Sequence, residues 1–380
     1  MIISFCIYGA LAFILWLLAK DQLRFQNRVR SDSFCTWQNI CAIAIFAAIY
    51  GLRYNVGVDN LAYIRLYQAL ENGNALRSDT LELGYRYLQQ LFVDIGLHYS
   101  MFIGLWGALQ IGLIYYAMRR NKYLLPFIAL FIVLGPTWLR WANIMRQAVV
   151  ECAFVVLIDY IVEKKVWKYA LGIALCCLVH KSAILLLPFY FILQKPIFPK
   201  NRWVAVGCVV CCTIIGSTPT WIKSMNFIES VLSFMEYDAY TFNFKMIMQD
   251  VDHSRAWGPA RAGIWLLYVI ATWTYLRLRT QFNFSKHFDI YFECFFFGNC
   301  MYELFVNTNQ IFIRPLSYFQ SFSLIIIPIC LYYLWKSRKV ALYHTMCLLA
   351  FFNTFWWTIK AYLGGMGDKA FEVYKFYFMQ

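Results

Sequence analysis

The sequence predicts an all-α, polytopic membrane protein of about 10–12 transmembrane helices, and three observations predict it. Hydrophobic residues make up 61% of the 380 and charged residues 14%, against about 45–50% and about 25% in a soluble domain. Mean hydropathy, +0.54, expresses the same composition. The apolar residues come in continuous runs of roughly 16–20 instead of alternating over about 10, which selects helices over a β-barrel. Finally, Lys and Arg recur at every second connection between the runs, as cytoplasmic loops require.

Each run can be taken in order. The first, 2–19, has no basic residue before it and Lys20, Arg24, Arg28 and Arg30 after it. A secretory signal peptide has the opposite polarity, so this reads as a span with the N-terminus outside. Span 36–52 returns outward, and 100–118 comes back to Arg119, Arg120 and Lys122. Spans 123–138 and 141–162 follow, ending at Lys164, Lys165 and Lys168. The run 167–193 is interrupted by His180, Lys181 and Ser182. Its second part is too short to cross a bilayer at about 1.5 Å per residue, so the run reads as two half-helices meeting near His180. The remaining spans are 203–217, 262–275, 288–306, 316–335 and 340–358.

Segments 20–30, 119–122, 163–168, 195–202, 277–286 and 336–339 each carry three or four Lys/Arg, more than half of the 34 in the chain. This register makes residues 1–380 one integral membrane domain, multi-pass in a cytoplasmic membrane. It places the two longest connections, 53–99 and 221–261, outside. Both carry aromatic residues at helical spacing, which fits amphipathic helices on the outer face. The formal charge of +14 then has two sources, cytoplasmic loops and an anion site.

Several chemistries have no motif to support them. There is no GxxxxGKS, HExxH, GxSxG or D-x-D sequence, so no metal, no cofactor and no nucleic-acid partner is expected. The 13 cysteines fall in or at the ends of apolar runs and form no disulfide framework. Cys208, Cys211 and Cys212 read as small apolar residues of a span.

The polar residues inside the runs carry the functional argument. A charge at mid-bilayer costs about 2.5–3.5 kcal/mol on insertion scales. Arg140, Asn143, Gln147 and Glu151 recur at i, i+3, i+7 and i+11, one face of a continuous helix, with Arg146 on the adjoining edge. That face is expected to line a cavity, or else to hold an Arg–Glu pair that fixes packing. Arg53 lies at the outer end of the second span, before Gly57, which suits a turn, and Asp59, which suits a helix cap. Arg314 opens the span at 316–335. Taken singly, each of these two arginines reads as a snorkelling side chain. Together, Arg53, Arg140, Arg146 and Arg314 come from different helices and map to the outer leaflet. Convergent guanidiniums suit a pyrophosphate. His180 and Glu82 are the base candidates, with Asp238, Asp250, Asp252 and His253 as further titratable groups. Tyr237, Tyr240 and Trp257 in the second long loop are candidates for holding acceptor sugars.

The motifs, in order, are R-x-x-V-G-x-D at 53–59, E-x-G-Y at 82–85, M-R-Q-A at 145–148, L-V-H-K-S-A at 178–183 and I-R-P-L-S-Y-F at 313–319. This pattern resembles the EpsG family of exopolysaccharide proteins, which are Wzy-like polysaccharide polymerases, from about residue 36 to 335. The resemblance implies a C-type glycosyltransferase-like fold in the bacterial inner membrane, with an active site that faces outward. It implies an inverting, metal-independent enzyme that joins polyprenyl-pyrophosphate-linked oligosaccharide repeat units. It implies catalytic roles for Asp59, Glu82 and His180 and pyrophosphate binding by Arg53, Arg146, Gln147 and Arg314. Its partners would be the lipid-linked oligosaccharide, membrane lipid, a chain-length regulator and a flippase. One departure is Leu83, where family members often have Pro. The alternatives are a lipid-linked oligosaccharide flippase, an O-antigen-ligase-like transferase, and a membrane acyltransferase built on His180.

Overall fold

Among the residues described by the computed structural model, every regular element is a helix, as the apolar runs require. The structure describes residues 2–29, 33–57, 59–73, 81–195, 198–221, 224, 258–308, 310–362 and 374–379. Among these the only extended pairing is an isolated bridge between Arg53 and Phe376. Contacts divide the chain into two compact units, residues 1–194 with 350–380, and residues 195–349.

The first unit comprises α1 (Ile2–Val29), α2 (Trp37–Gly51), α3 (Asn60–Glu71), α4 (Leu83–Asp94), α5 (Tyr99–Ala117), α6 (Leu125–Leu134), α7 (Thr137–Asn143), α8 (Met145–Val162) and α9 (Val166–Val179). A 3₁₀ segment, Lys181–Leu186, and the short α10 (Phe189–Ile192) follow. Among the described residues the loop 53–99 holds two helices, α3 and α4. The second unit contains α11 (Arg202–Gly216), α12 (Pro259–Arg279), α13 (Lys286–Phe305) and α14 (Ser323–Lys336), and α15 (Val340–Tyr362) carries the chain back to the first.

Small residues set the closest packing. A Cβ on Gly107 of α5 would lie 2.7 Å from the Tyr50 side chain of α2, and one on Gly104 would lie 3.0 Å from the Ala47 carbonyl. Helices in lipid gain association from such close approach, since lipid tails are as apolar as leucine. Trp138 sits among Tyr8, Phe46 and Tyr50, edge-on at 5.8, 5.0 and 5.4 Å between ring centroids. Along α9 and the 3₁₀ segment, Leu171, Leu175, Leu178, Ile184 and Leu185 are exposed. An apolar flank of that kind matches lipid, not water.

Three breaks depart from simple spans. The His180 break falls where expected: His180 is extended (φ −154, ψ 113) between α9 and the 3₁₀ turn. The expected spans 123–138 and 141–162 are corrected. The chain bends by 63° between Lys122–Leu134 and Thr137–Asn143, because Gly135 is extended and Pro136 has no N–H to continue the ladder. A second interruption follows at Ile144, where ψ reaches 43 between α7 and α8. Such breaks divide apolar runs into pieces. Among the described residues, three helices are long and apolar enough to cross a membrane, or four if the bent pair is one span. Five shorter apolar helices accompany them, so fewer elements pass singly than the 10–12 runs suggest.

Candidate active site

The centre of the site is built by the first turn of α4. Glu82 precedes α4 in an extended conformation (φ −65, ψ 143). Gly84 lies against the end of α9: a Cβ there would be 2.8 Å from both the Cβ and the carbonyl oxygen of Leu178. That approach carries Glu82 to His180, the residue that ends α9. Glu82 Oε1 lies 3.1 Å from His180 Nδ1 and accepts the backbone N–H of Lys181 at 3.2 Å. Glu82 Oε2 is paired with the Arg146 guanidinium at the start of α8. The guanidinium also lies over the ring of Tyr85, 5.1 Å from its centroid. Each letter of E-x-G-Y therefore has a use: Glu82 the charge, Gly84 the close approach, Tyr85 a platform for the cation.

The carboxylate is 7% exposed, while Arg146 and His180 retain 22% and 26%. One buried carboxylate therefore joins two groups that still reach solvent. Burial pushes the Glu82 carboxyl up. The hydrogen bond with His180, the charge of Arg146 and the amides of Glu82 and Lys181 outweigh this and bring it down to about 2. Glu82 is accordingly ionised in any ordinary buffer.

The other arginines have different surroundings. Arg53 is wholly buried, stacks 3.7 Å from the centroid of Tyr50, and donates to the carbonyls of Tyr50 (2.8 Å) and Ala142 (3.2 Å). Gly57 has φ +91, and a Cβ there would overlap the Asn143 carboxamide. The chain at Gly57 thus presses on the end of α7. Asp59 is exposed and precedes α3 without a side-chain capping bond.

The expected continuous face does not form, because Ile144 separates Arg140 and Asn143 on α7 from Gln147 and Glu151 on α8. Across that break Arg140 makes a bidentate pair with Glu151, at 2.5 and 2.7 Å, and the Glu151 carboxylate is fully buried. Gln147 is buried on the first turn of α8. Arg314 is exposed on a 3₁₀ turn, Arg314–Leu316, of the second unit. Tyr237, Asp238, Tyr240, Asp250, Asp252, His253 and Trp257 lie outside the described residues.

Four contributors were not singled out from sequence: Tyr85, Tyr63, Gln110 and the Lys181 amide. Tyr63 on α3 is half-buried beside Arg146, and its hydroxyl is pushed up to about 12 by desolvation, which outweighs the arginine's pull. Gln110 had a signal, a polar residue inside the apolar stretch WGALQIGLIYY. Tyr85 had one as the last letter of E-x-G-Y, whereas the Lys181 amide had none, since its role depends on α4 meeting α9.

Fold and site together define a helical membrane protein in which a buried carboxylate links a cation to an imidazole at a helix break. The EpsG family model matches residues 36–375, nearly the whole chain. The chain belongs to the EpsG family, a Wzy-like polysaccharide polymerase family of exopolysaccharide biosynthesis. No curated protein and no solved structure matches it.

Proposed function

We propose that this protein is a repeat-unit polymerase: it transfers polyprenyl-pyrophosphate-linked oligosaccharides, with inversion and without a metal, at the outer face of the cytoplasmic membrane. The observation that carries the proposal is the Glu82 carboxylate shared between Arg146 and His180. Arg146 holds the donor pyrophosphate and offsets the charge that builds on it as the glycosidic C–O bond breaks. The first turn of an 18-residue helix, α8, adds amides beside it, and helix N-termini favour anions. His180 takes the proton of the acceptor hydroxyl as that oxygen attacks the anomeric carbon from the opposite face. Polyprenyl pyrophosphate leaves, and the chain grows by one repeat.

Glu82, held near 2, is a weak proton acceptor. Its role here is to orient the imidazole and to stabilise it once protonated. Arg140, already paired with Glu151, serves packing in this account. Arg314, Tyr237, Tyr240 and Trp257 are assigned to donor and acceptor binding from their motif and loop. The outward-facing site and external N-terminus are supported by the Lys/Arg bias. A flippase and a chain-length regulator would supply the donor and limit the product.

The test is reconstitution of the purified protein with a lipid-linked repeat unit. The proposal expects a polymer ladder and stoichiometric release of polyprenyl pyrophosphate. Movement of the lipid-linked unit between leaflets without any ladder would instead establish a transporter.

A further inference from the structure

Interrupting a helix at one residue strips partners from the carbonyls of the preceding turn, and buried carbonyls need partners. At Ile144 three carbonyls are affected: those of Trp141, Ala142 and Asn143, which a continuous helix would bond to the amides of Met145, Arg146 and Gln147. Each accepts a side-chain donor from elsewhere in the first unit. The Tyr50 hydroxyl bonds Trp141 O at 2.7 Å, the Arg53 guanidinium bonds Ala142 O at 3.2 Å, and the Tyr63 hydroxyl bonds Asn143 O at 3.1 Å. Gln110 joins the set, donating to the Tyr50 hydroxyl and to Met145 O, both at 3.2 Å. Tyr50, Arg53 and Gln110 are wholly buried.

We infer that Arg53 is a positioning residue and not a pyrophosphate ligand: with Tyr50, Tyr63 and Gln110 it clamps the α7–α8 break and so fixes where α8 begins. Arg146 is the second residue of α8, and its place opposite Glu82 depends on that starting point. The planar fork of arginine suits the task, because one side chain reaches two backbone carbonyls while its face covers the Tyr50 ring. A lysine ammonium is a point charge without that fork. A one-turn slip of the break would move Arg146 along the axis by about 5.4 Å, out of reach of Glu82. The catalytic meaning of Arg146 rests on the polymerase reading above; the clamp itself does not.

The experiment compares Arg53→Met, Arg53→Lys and Gln110→Leu in the full-length protein reconstituted in lipid. It measures hydrogen exchange over residues 141–151 and the kcat and KM for a lipid-linked repeat unit. Tyr50→Phe, which deletes one donor and keeps the ring, covers the case in which Arg53→Met fails to fold. The clamp predicts that Arg53→Met and Gln110→Leu each speed exchange at the start of α8 by about tenfold or more. In both, kcat falls about tenfold while KM changes less than about threefold. Tyr50→Phe and Arg53→Lys move the same way by less. A raised KM for Arg53→Met, with unchanged exchange and a fully active Gln110→Leu, would overturn the clamp and make Arg53 a substrate ligand. Normal exchange and turnover in both variants would overturn it too. If Arg146→Ala polymerises normally while Arg53→Met still loosens α8, the polymerase site fails and the clamp stands.

Discussion

Two arginine–glutamate pairs meet at the same helix break, and the Glu82 carboxylate of one of them also reaches an imidazole. Arg140 and Glu151 form a bidentate pair whose carboxylate is fully buried. Arg146 and Glu82 also pair, but the second oxygen of Glu82 goes to His180 and the Lys181 amide, and that imidazole keeps partial exposure, while the two arginines are equally exposed at 22%. The first arrangement resembles an internal brace, stable and uninformative about substrate. The second couples a cation to a titratable ring at a surface, which is what charge stabilisation and proton transfer need. An ion pair inside a membrane protein is therefore not evidence of a site until its remaining hydrogen bonds have been followed.

The sharpest way to break this contrast acts on the ring. Replacing His180 by Ala is expected to lower turnover about 10²–10⁴-fold, the range for loss of a general base. Turnover within about threefold of wild type in the reconstituted assay would remove the imidazole from the mechanism.

The brace makes the opposite prediction. Arg140→Met alone strands the buried Glu151 carboxylate and is expected to destabilise the protein by about 3–5 kcal/mol. The double variant Arg140→Met/Glu151→Leu replaces the pair by apolar groups and should recover most of that loss, with normal polymer length. Thermal unfolding in detergent and product sizing check both halves. A stable double variant that makes only single repeats would move Arg140 into the site.

Gly84→Ala tests the approach that joins the two halves. The new methyl meets the Leu178 backbone at 2.8 Å, and backbone cannot rotate aside. Overpacking of this kind costs about 1–3 kcal/mol, and the displacement of Glu82 should reduce turnover about tenfold. Unchanged activity and stability would show that α4 and α9 are not in register as described.

The smallest effect is in pH. The folded Glu82 carboxyl lies near 2, below about 4.3 for a free glutamate, so its ionised form stabilises the fold. That contribution is complete above the unfolded value and is lost as pH falls through the folded one. The difference in melting temperature between wild type and Glu82→Gln should therefore be constant from neutral pH to about 5 and shrink toward 2. A difference that grows on acidification would contradict the assigned ion pair.

Much of this was legible in the sequence. The His180 break followed from a run too long for one half-helix and too short for two spans, interrupted by three polar residues. The all-helical class followed from run length and charge bias. What sequence could not supply was pairing across distance: Glu82 and Arg146 are 64 residues apart, and the folded chain brings α4 against α9 and the start of α8 to join them. The cost of a buried arginine also has two solutions. Sequence arguments offered an anion to Arg53; backbone carbonyls are a second way to use a buried guanidinium, and two of its nitrogens donate to those of Tyr50 and Ala142. The face through Arg140, Asn143, Gln147 and Glu151 was read on a continuous helix, and nothing in the residues around Ile144 announces that the helix stops there.

The most direct test of the central claim, that Arg146 and not Arg140 acts on the donor, is product sizing in lipid vesicles supplied with a lipid-linked repeat unit. Arg146→Ala is expected to insert and fold, to cut turnover about 10²–10³-fold as losses of charge-stabilising groups do, and to leave single-repeat glycolipid unreacted. A normal polymer ladder from Arg146→Ala would contradict the account.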